Sequence, residues 1–145
     1  MTDPSVPPIL RRPNTGWSEI VAIQRIEKTA RLSRVVIHER VAYFSGLTAD
    51  DRQQDVVGQT RQILAKTDVF LAQIGSDRSR LLSATIWLRD IDDFDGMNSV
   101  WTEWIDKDEP PARATVQAVL GLRDILVEIQ FTVALAAAST PATTI

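Results

Sequence analysis

The chain contains no cysteine and a single histidine, His38, in 145 residues. The first absence removes disulfides, thiolate nucleophiles and cysteine-ligated metals. The second leaves nothing from which to build a Ser-His pair or a histidine-rich metal centre. The N-terminus lacks a secretory h-region, and no apolar run approaches the ~20 residues that a bilayer span requires. Both lacks predict a cytoplasmic protein with no membrane partner. A glycine-rich phosphate loop is missing as well, because GLRD and SGL are too short to form one. Positive charge is not in excess: 16 Lys and Arg against 19 Asp and Glu leave a net charge of −3. An acidic surface is a poor start for holding a polyanion, so nucleic acid is not an expected partner.

What remains is an ordinary globular composition, 44% hydrophobic and 24% charged, in a chain long enough for one domain with a real core. Residues 1–18 carry Pro4, Pro7, Pro8, Pro13 and an NTG turn, and read as an extended arm. Residues 138–145 read as a flexible tail. The segment 19–137 between them is the expected domain.

Periodicity supplies its elements. EIVAIQRIE, residues 19–27, alternates as a strand. VVIH from Val35 and VAYFSG from Val41 are separated by Glu39 and Arg40, a hairpin spacing. From Arg52 to Ile74, Val56, Thr60, Ile63, Thr67, Phe70, Leu71 and Ile74 recur at helical spacing, and Gly75 supplies a stop. LLSATIWL from Leu81 is a β-branched, aromatic strand. A second helix is expected from Asp92 or Asp93, with Phe94, Met97, Trp101, Trp104 and Ile105 as its apolar stripe. Two strands follow, ARATVQAVL and LVEIQFTVAL, joined through Gly121 to Asp124. The order βββαβαββ has two helices for six strands. Two helices cover only one face of such a sheet, which predicts an α+β layer and an oligomer that buries the other face.

Two charged residues interrupt the last strands. Arg113 shares a strand face with Thr115, and Glu128 shares one with Gln130 and Thr132, opposite Val127, Ile129, Phe131 and Val133. A guanidinium clamps a carboxylate or phosphate bidentately, and a nearby carboxylate activates water. Together they suffice for hydrolysing an activated carbon such as an imine, without a metal. A tight hairpin at Gly121–Asp124 would instead put Glu128 opposite Gln117, about 13 Å from Arg113. The two then meet only through another register, a bulge or different subunits. Otherwise they are ordinary polar-face residues with a weak surface ion pair.

The other notable residues have plain readings. His38 beside Glu39 is a solvated strand end, and Trp87, Trp101 and Trp104 are core. The DIDDFD cluster lacks the spacing and glycine of a calcium loop and reads as a helix cap.

RLSRVVIHERVAYFSGL, MNSVWTEW, PPARATV and VEI occur in the order and approximate spacing of the Rid family, the reactive imine deaminases, which the chain resembles over roughly residues 20–135. The resemblance implies a fold like that of the small trimeric chorismate mutases. That is a mixed six-stranded sheet with two helices on one face, forming a homotrimer with clefts between subunits. It implies hydrolysis of enamines and imines such as 2-aminoacrylate and 2-iminopropionate to keto acids and ammonia, without a cofactor.

On the same basis Arg113 matches the carboxylate-holding arginine and Glu128 the water-positioning acid. Ser45 and Gly46 match the SG whose backbone lines the cleft, Asn98 the helix asparagine, and Trp101 an aromatic beside it. Ser33 matches a serine that follows a tyrosine. This chain departs at three positions: Leu32 replaces that tyrosine, Thr115 a cysteine, and Leu47 the glutamine after SG. The departures mark a divergent subgroup. They leave open a second reading, a non-catalytic trimeric binder of small carboxylates such as a keto acid. Ribonuclease activity, reported for some relatives, fits an acidic chain less well.

Overall fold

The computed structural model describes residues 22–136. The arm over 1–18, the tail over 138–145 and the first residues of the strand expected at 19–27 lie outside the described residues. The first strand, β1, spans Gln24–Lys28, and β2 spans Ser33–His38. Between them the Thr29 hydroxyl accepts from the N–H groups of Arg31 and Leu32. The hairpin expected around Glu39 and Arg40 is present, leading into β3, Val41–Phe44. Both loop residues are left-handed, φ 51° and 67°, which the twist of a two-residue hairpin demands even without glycine.

Helix α1 covers Val56–Gln73, starting four residues later than the Arg52 expected from periodicity. The reason is Asp55, whose carboxylate accepts from Gly58 N–H and caps the first turn. The expected stop holds. Gly75 is left-handed, φ 69°, and the N–H groups of Gly75 and Ser76 return to the carbonyls of Ala72 and Leu71. Thr60 and Thr67 are fully buried on the inner face, each donating to the carbonyl four residues back.

Strand β4, Leu81–Leu88, is followed by a short 3-10 turn at Ile91–Asp93 and then helix α2, Phe94–Trp104. The helix begins where expected, but the capping carboxylate is Asp90, which accepts from Asp92 N–H of the 3-10 turn. Asp93 makes no side-chain cap. Strand β5, Ala112–Gln117, then lies parallel to β4, so β4, α2 and β5 form a crossover unit. Strand β6, Val127–Ala134, is antiparallel to both β3 and β4. The sheet order is β1-β2-β3-β6-β4-β5.

The tight hairpin between the last two strands does not form. The parallel crossover carries β5 outside β4, and β6 returns to the gap between β3 and β4. Arg89 holds the long return: its Nε donates to Ile125 O at 2.9 Å and its Nη2 to the carbonyls of Leu120 and Leu122.

Ala84, Ile86 and Leu88 of β4 and Val127, Ile129, Phe131 and Val133 of β6 are buried on one face. They join Ile63, Leu64 and Leu71 of α1 and Met97, Val100, Trp101 and Trp104 of α2 in one cluster. Both helices therefore cover the same face. The other face leaves Tyr43 50%, Leu82 47% and Val116 44% exposed.

Gln59 organises the approach to β6. Fully buried, it donates from Nε2 to the carbonyls of Arg52, Gln54 and Asp124, and its Oε1 accepts from Leu126 N–H. Leucine has a similar volume but leaves those backbone groups unpaired. Gln59→Leu is expected to lower stability by about 2 kcal/mol, read as a lower urea midpoint at unchanged slope. An unchanged midpoint would show that water replaces the amide.

Candidate functional site

Strand β5 is a sheet edge, and Arg113, Thr115 and Gln117 alternate toward the helix layer. Arg113 sits against α2, where its Nη1 donates to Asn98 Oδ1 at 2.8 Å. Its Cζ lies 5.2 Å from the ring centre of Trp101 and 5.8 Å from that of Phe94. Partial burial pulls the guanidinium pKa down, but an arginine stays charged. Thr115, two residues on, has a buried hydroxyl with no hydrogen-bond partner. Gln117 Oε1 accepts from Ile91 N–H at 2.8 Å, tying β5 to the turn that launches α2.

Trp101 serves both core and rim. It is 6% exposed and stacks flat on Phe131, with ring centres 6.0 Å apart, while Arg113 lies over it. Phe94 was legible in the sequence only as a stripe residue. Its spacing to Asn98 and Trp101, four and then three residues, is the signal that puts all three on one helix face.

A second group gathers around Glu128. Tyr43 pairs with Thr132, but Leu47 pairs with Ile129. Four residues on one side thus match three on the other, a bulge at Ser45–Gly46. There the glycine is a matter of space, not of backbone angle. A Cβ on Gly46 would overlap Glu128 Oε1 and lie 2.9 Å from its Cδ. Desolvation pushes the Glu128 pKa up from its ordinary value. Ser45 carries the other buried, unpartnered hydroxyl found among the described residues. Its N–H donates to Arg34 O at 2.9 Å, which brings the start of β2 alongside. Ser33 is half-buried at that start, and Leu32 is 44% exposed in the turn before it. Leu47 is 3% exposed in the core.

Nine of the ten residues singled out by the resemblance, all but Leu47, therefore fall into two groups. Asn98, Trp101, Arg113 and Thr115 meet on the helix face at β5. Leu32, Ser33, Ser45, Gly46 and Glu128 gather around the bulge and the adjoining end of β2. Glu128 lies opposite Trp87, which is half-buried on the open face of the sheet and not in the core as expected; Arg113 lies opposite Ala84, on the helix face. The two charges are separated by about 10 Å along the strands and about 10 Å across them. One protomer does not bring them together.

Surface cavities open beside these groups and not between them. One, about 430 Å³, is lined by Asp68, Arg78 and Asp106 among others; another, about 350 Å³, is lined by Arg34, Leu47, Asp50, Lys66 and Phe70 among others. Arg78 is already engaged by Asp68 at 2.8 Å and Lys66 by Asp50 at 2.6 Å. No group of three or more acidic or histidine side chains suited to a metal occurs among the described residues. No helix among them is long and apolar enough to cross a membrane.

A family model described as Endoribonuclease L-PSP matches residues 22–135. The chain belongs to the Rid family, whose members also carry the names RutC and YjgF. A RutC family protein of Haemophilus influenzae is 45% identical over 101 residues, covering 69% of this chain and 87% of that one. The RutC family protein YoaB of Escherichia coli is 40% identical over 114 residues, covering 79% and 99%. Among solved structures, NMB1025 of Neisseria meningitidis, described as a member of the YjgF protein family, superposes with a TM-score of 0.79 at 34% identity. That match covers 82% of this chain and 99% of the other. The six-stranded mixed sheet and two helices are those of the Rid fold.

Proposed function

We propose that this Rid protein is a cytoplasmic homotrimer that hydrolyses small carboxylate-bearing imines and enamines to 2-keto acids and ammonia. The separation of Arg113 and Glu128 onto opposite faces of one sheet carries the reading. An edge strand bearing a held, unpaired guanidinium and an open face bearing a desolvated acid complement each other between copies. The apolar side chains exposed on that face support the same assembly.

In the assembled cleft Arg113 holds the substrate carboxylate bidentately, with Asn98 and Thr115 beside it. An enamine first takes a proton at carbon and gives up one from nitrogen to become the imine. Glu128 removes a proton from water as the oxygen attacks the C=N carbon and delivers it to the nitrogen, giving a neutral carbinolamine. The carboxylate then takes the hydroxyl proton and passes it to nitrogen, so that the C–N bond breaks and ammonia leaves as the C=O forms. Water and imine give keto acid and ammonia, with no redox change. The Ser45–Gly46 backbone lines the pocket. Leu32, in place of a polar family residue, favours substrates with an apolar side chain, whereas Leu47 is withdrawn into the core.

The test is ammonia release from imines made in situ by an amino-acid oxidase, with sedimentation as a control for assembly. Arg113→Ala should lower kcat/KM by about a hundredfold without dissociating the trimer. Arg113→Lys should recover part of it, since lysine restores charge but not the fork. Full activity in Arg113→Ala refutes the clamp. Thermal stabilisation of the wild type by 2-oxobutyrate, with no imine turned over, would replace the enzyme by a carboxylate binder.

A further inference from the structure

We infer that Phe94 is a positioning residue for Arg113, its ring and that of Trp101 holding the guanidinium in place before a ligand arrives. The inference rests on the proposed role of Arg113 as a carboxylate clamp.

Arginine carries about 2 kcal/mol of rotamer entropy, and an exposed edge strand does little to restrain it. Here the side chain has three restraints, all from one face of α2: Phe94, Asn98 and Trp101. Both ring centres lie within the range of cation–π attraction, and Asn98 Oδ1 takes Nη1. No carboxylate among the described residues pairs with Arg113. The rings offer no acceptor atom, so they orient the guanidinium without consuming its N–H groups. One donor goes to Asn98, and the remaining N–H groups are left for a planar anion. The same hydrogen bond sets the Asn98 amide. Because a guanidinium only donates, Asn98 presents oxygen to it and its NH2 group turns outward. A carboxylate docking on Arg113 thus meets a prepared surface, and less ordering is required on binding.

Phe94 also packs against the core, so the test must separate packing from positioning. Phe94→Leu keeps an apolar side chain and removes the π face; Phe94→Tyr keeps the face. In full-length protein carrying 15N-labelled arginine, the Arg113 Nε–H resonance of the free protein reports ring-current shift and guanidinium rotation. Calorimetry with 2-oxobutyrate reports affinity, and imine turnover separates KM from kcat. Phe94→Leu should move the Arg113 resonance toward the exposed-arginine position and speed its rotation. It should also weaken 2-oxobutyrate three- to tenfold and raise KM with kcat nearly unchanged. Phe94→Tyr should stay within twofold of wild type on every measure. An unshifted Arg113 resonance together with unchanged affinity in Phe94→Leu overturns the inference, whatever happens to its melting temperature. If 2-oxobutyrate fails to bind even the wild type, the clamp reading falls instead, and the resonance in the free protein alone decides whether Phe94 positions Arg113.

Discussion

Glu128→Gln should be more stable than the wild type at neutral pH and nearly inactive. Burial raises the Glu128 pKa, so the folded protein prefers the neutral acid. Below the unfolded glutamate pKa, roughly 4.3, both states are protonated and nothing is lost. As pH climbs through the raised folded value, the folded state must hold a poorly solvated anion that the unfolded state hydrates freely, and stability falls. Glutamine fills the same volume without that charge. Melting temperatures of the two proteins should coincide in acid and separate above the ordinary glutamate range, with the variant higher. Turnover should drop by about a thousandfold through loss of the acid–base group.

The wild-type kcat/KM profile should show its acid limb above the ordinary glutamate range, because only the carboxylate accepts the water proton. If Arg113 of a neighbouring copy faces this acid, Arg113→Ala moves the limb further up, since a nearby cation favours the anion. An active Glu128→Gln protein would end the role given to Glu128. Coincident melting curves at all pH values would show that its burial costs nothing.

Gly46→Ala should leave a folded protein with a ruined site. The added methyl overlaps Glu128 Oε1 and crowds Cδ at 2.9 Å and Cγ at 3.2 Å. The carboxylate is the flexible end of its side chain and can yield, so the stability cost should be only about 1 kcal/mol. What cannot be kept is the position of the acid. A displacement near 1 Å at a reacting group costs about a hundredfold in rate. Circular dichroism and urea unfolding should therefore look nearly native while ammonia release falls by that factor. Two results would speak against this: full activity, or a protein too unstable to assay. In the first case the acid is not held where chemistry occurs; in the second the glycine serves folding and not the site.

The resemblance to the Rid family lay open in local strings, because PPARATV, VEI and SGL keep their residue types wherever the chain goes. The helices were legible for a similar reason. Apolar spacing and the left-handed Gly75 act within a few residues, and only the start of α1 shifted, to where Asp55 could cap it. The last two strands were recognised as strands but not in their pairing. Strand identity follows from alternation, whereas pairing depends on which distant segment reaches an edge first. A hairpin through Gly121 looked natural, yet α2 needed the parallel crossover to bury Met97, Val100 and Trp101. With β5 carried outside β4, β6 fills the gap between β3 and β4 and leaves β5 as the sheet edge.

By itself the amino-acid sequence determined the class of the fold, its family and which side chains bear charge on strands otherwise apolar, since composition and short-range periodicity carry all three. Only the tertiary structure decided that Arg113 and Glu128 face opposite ways, that a bulge brings Gly46 against Glu128, and that two aromatic rings grip Arg113. Those facts depend on register and on packing between segments far apart in the chain, where a shift of one residue turns a side chain to the other face.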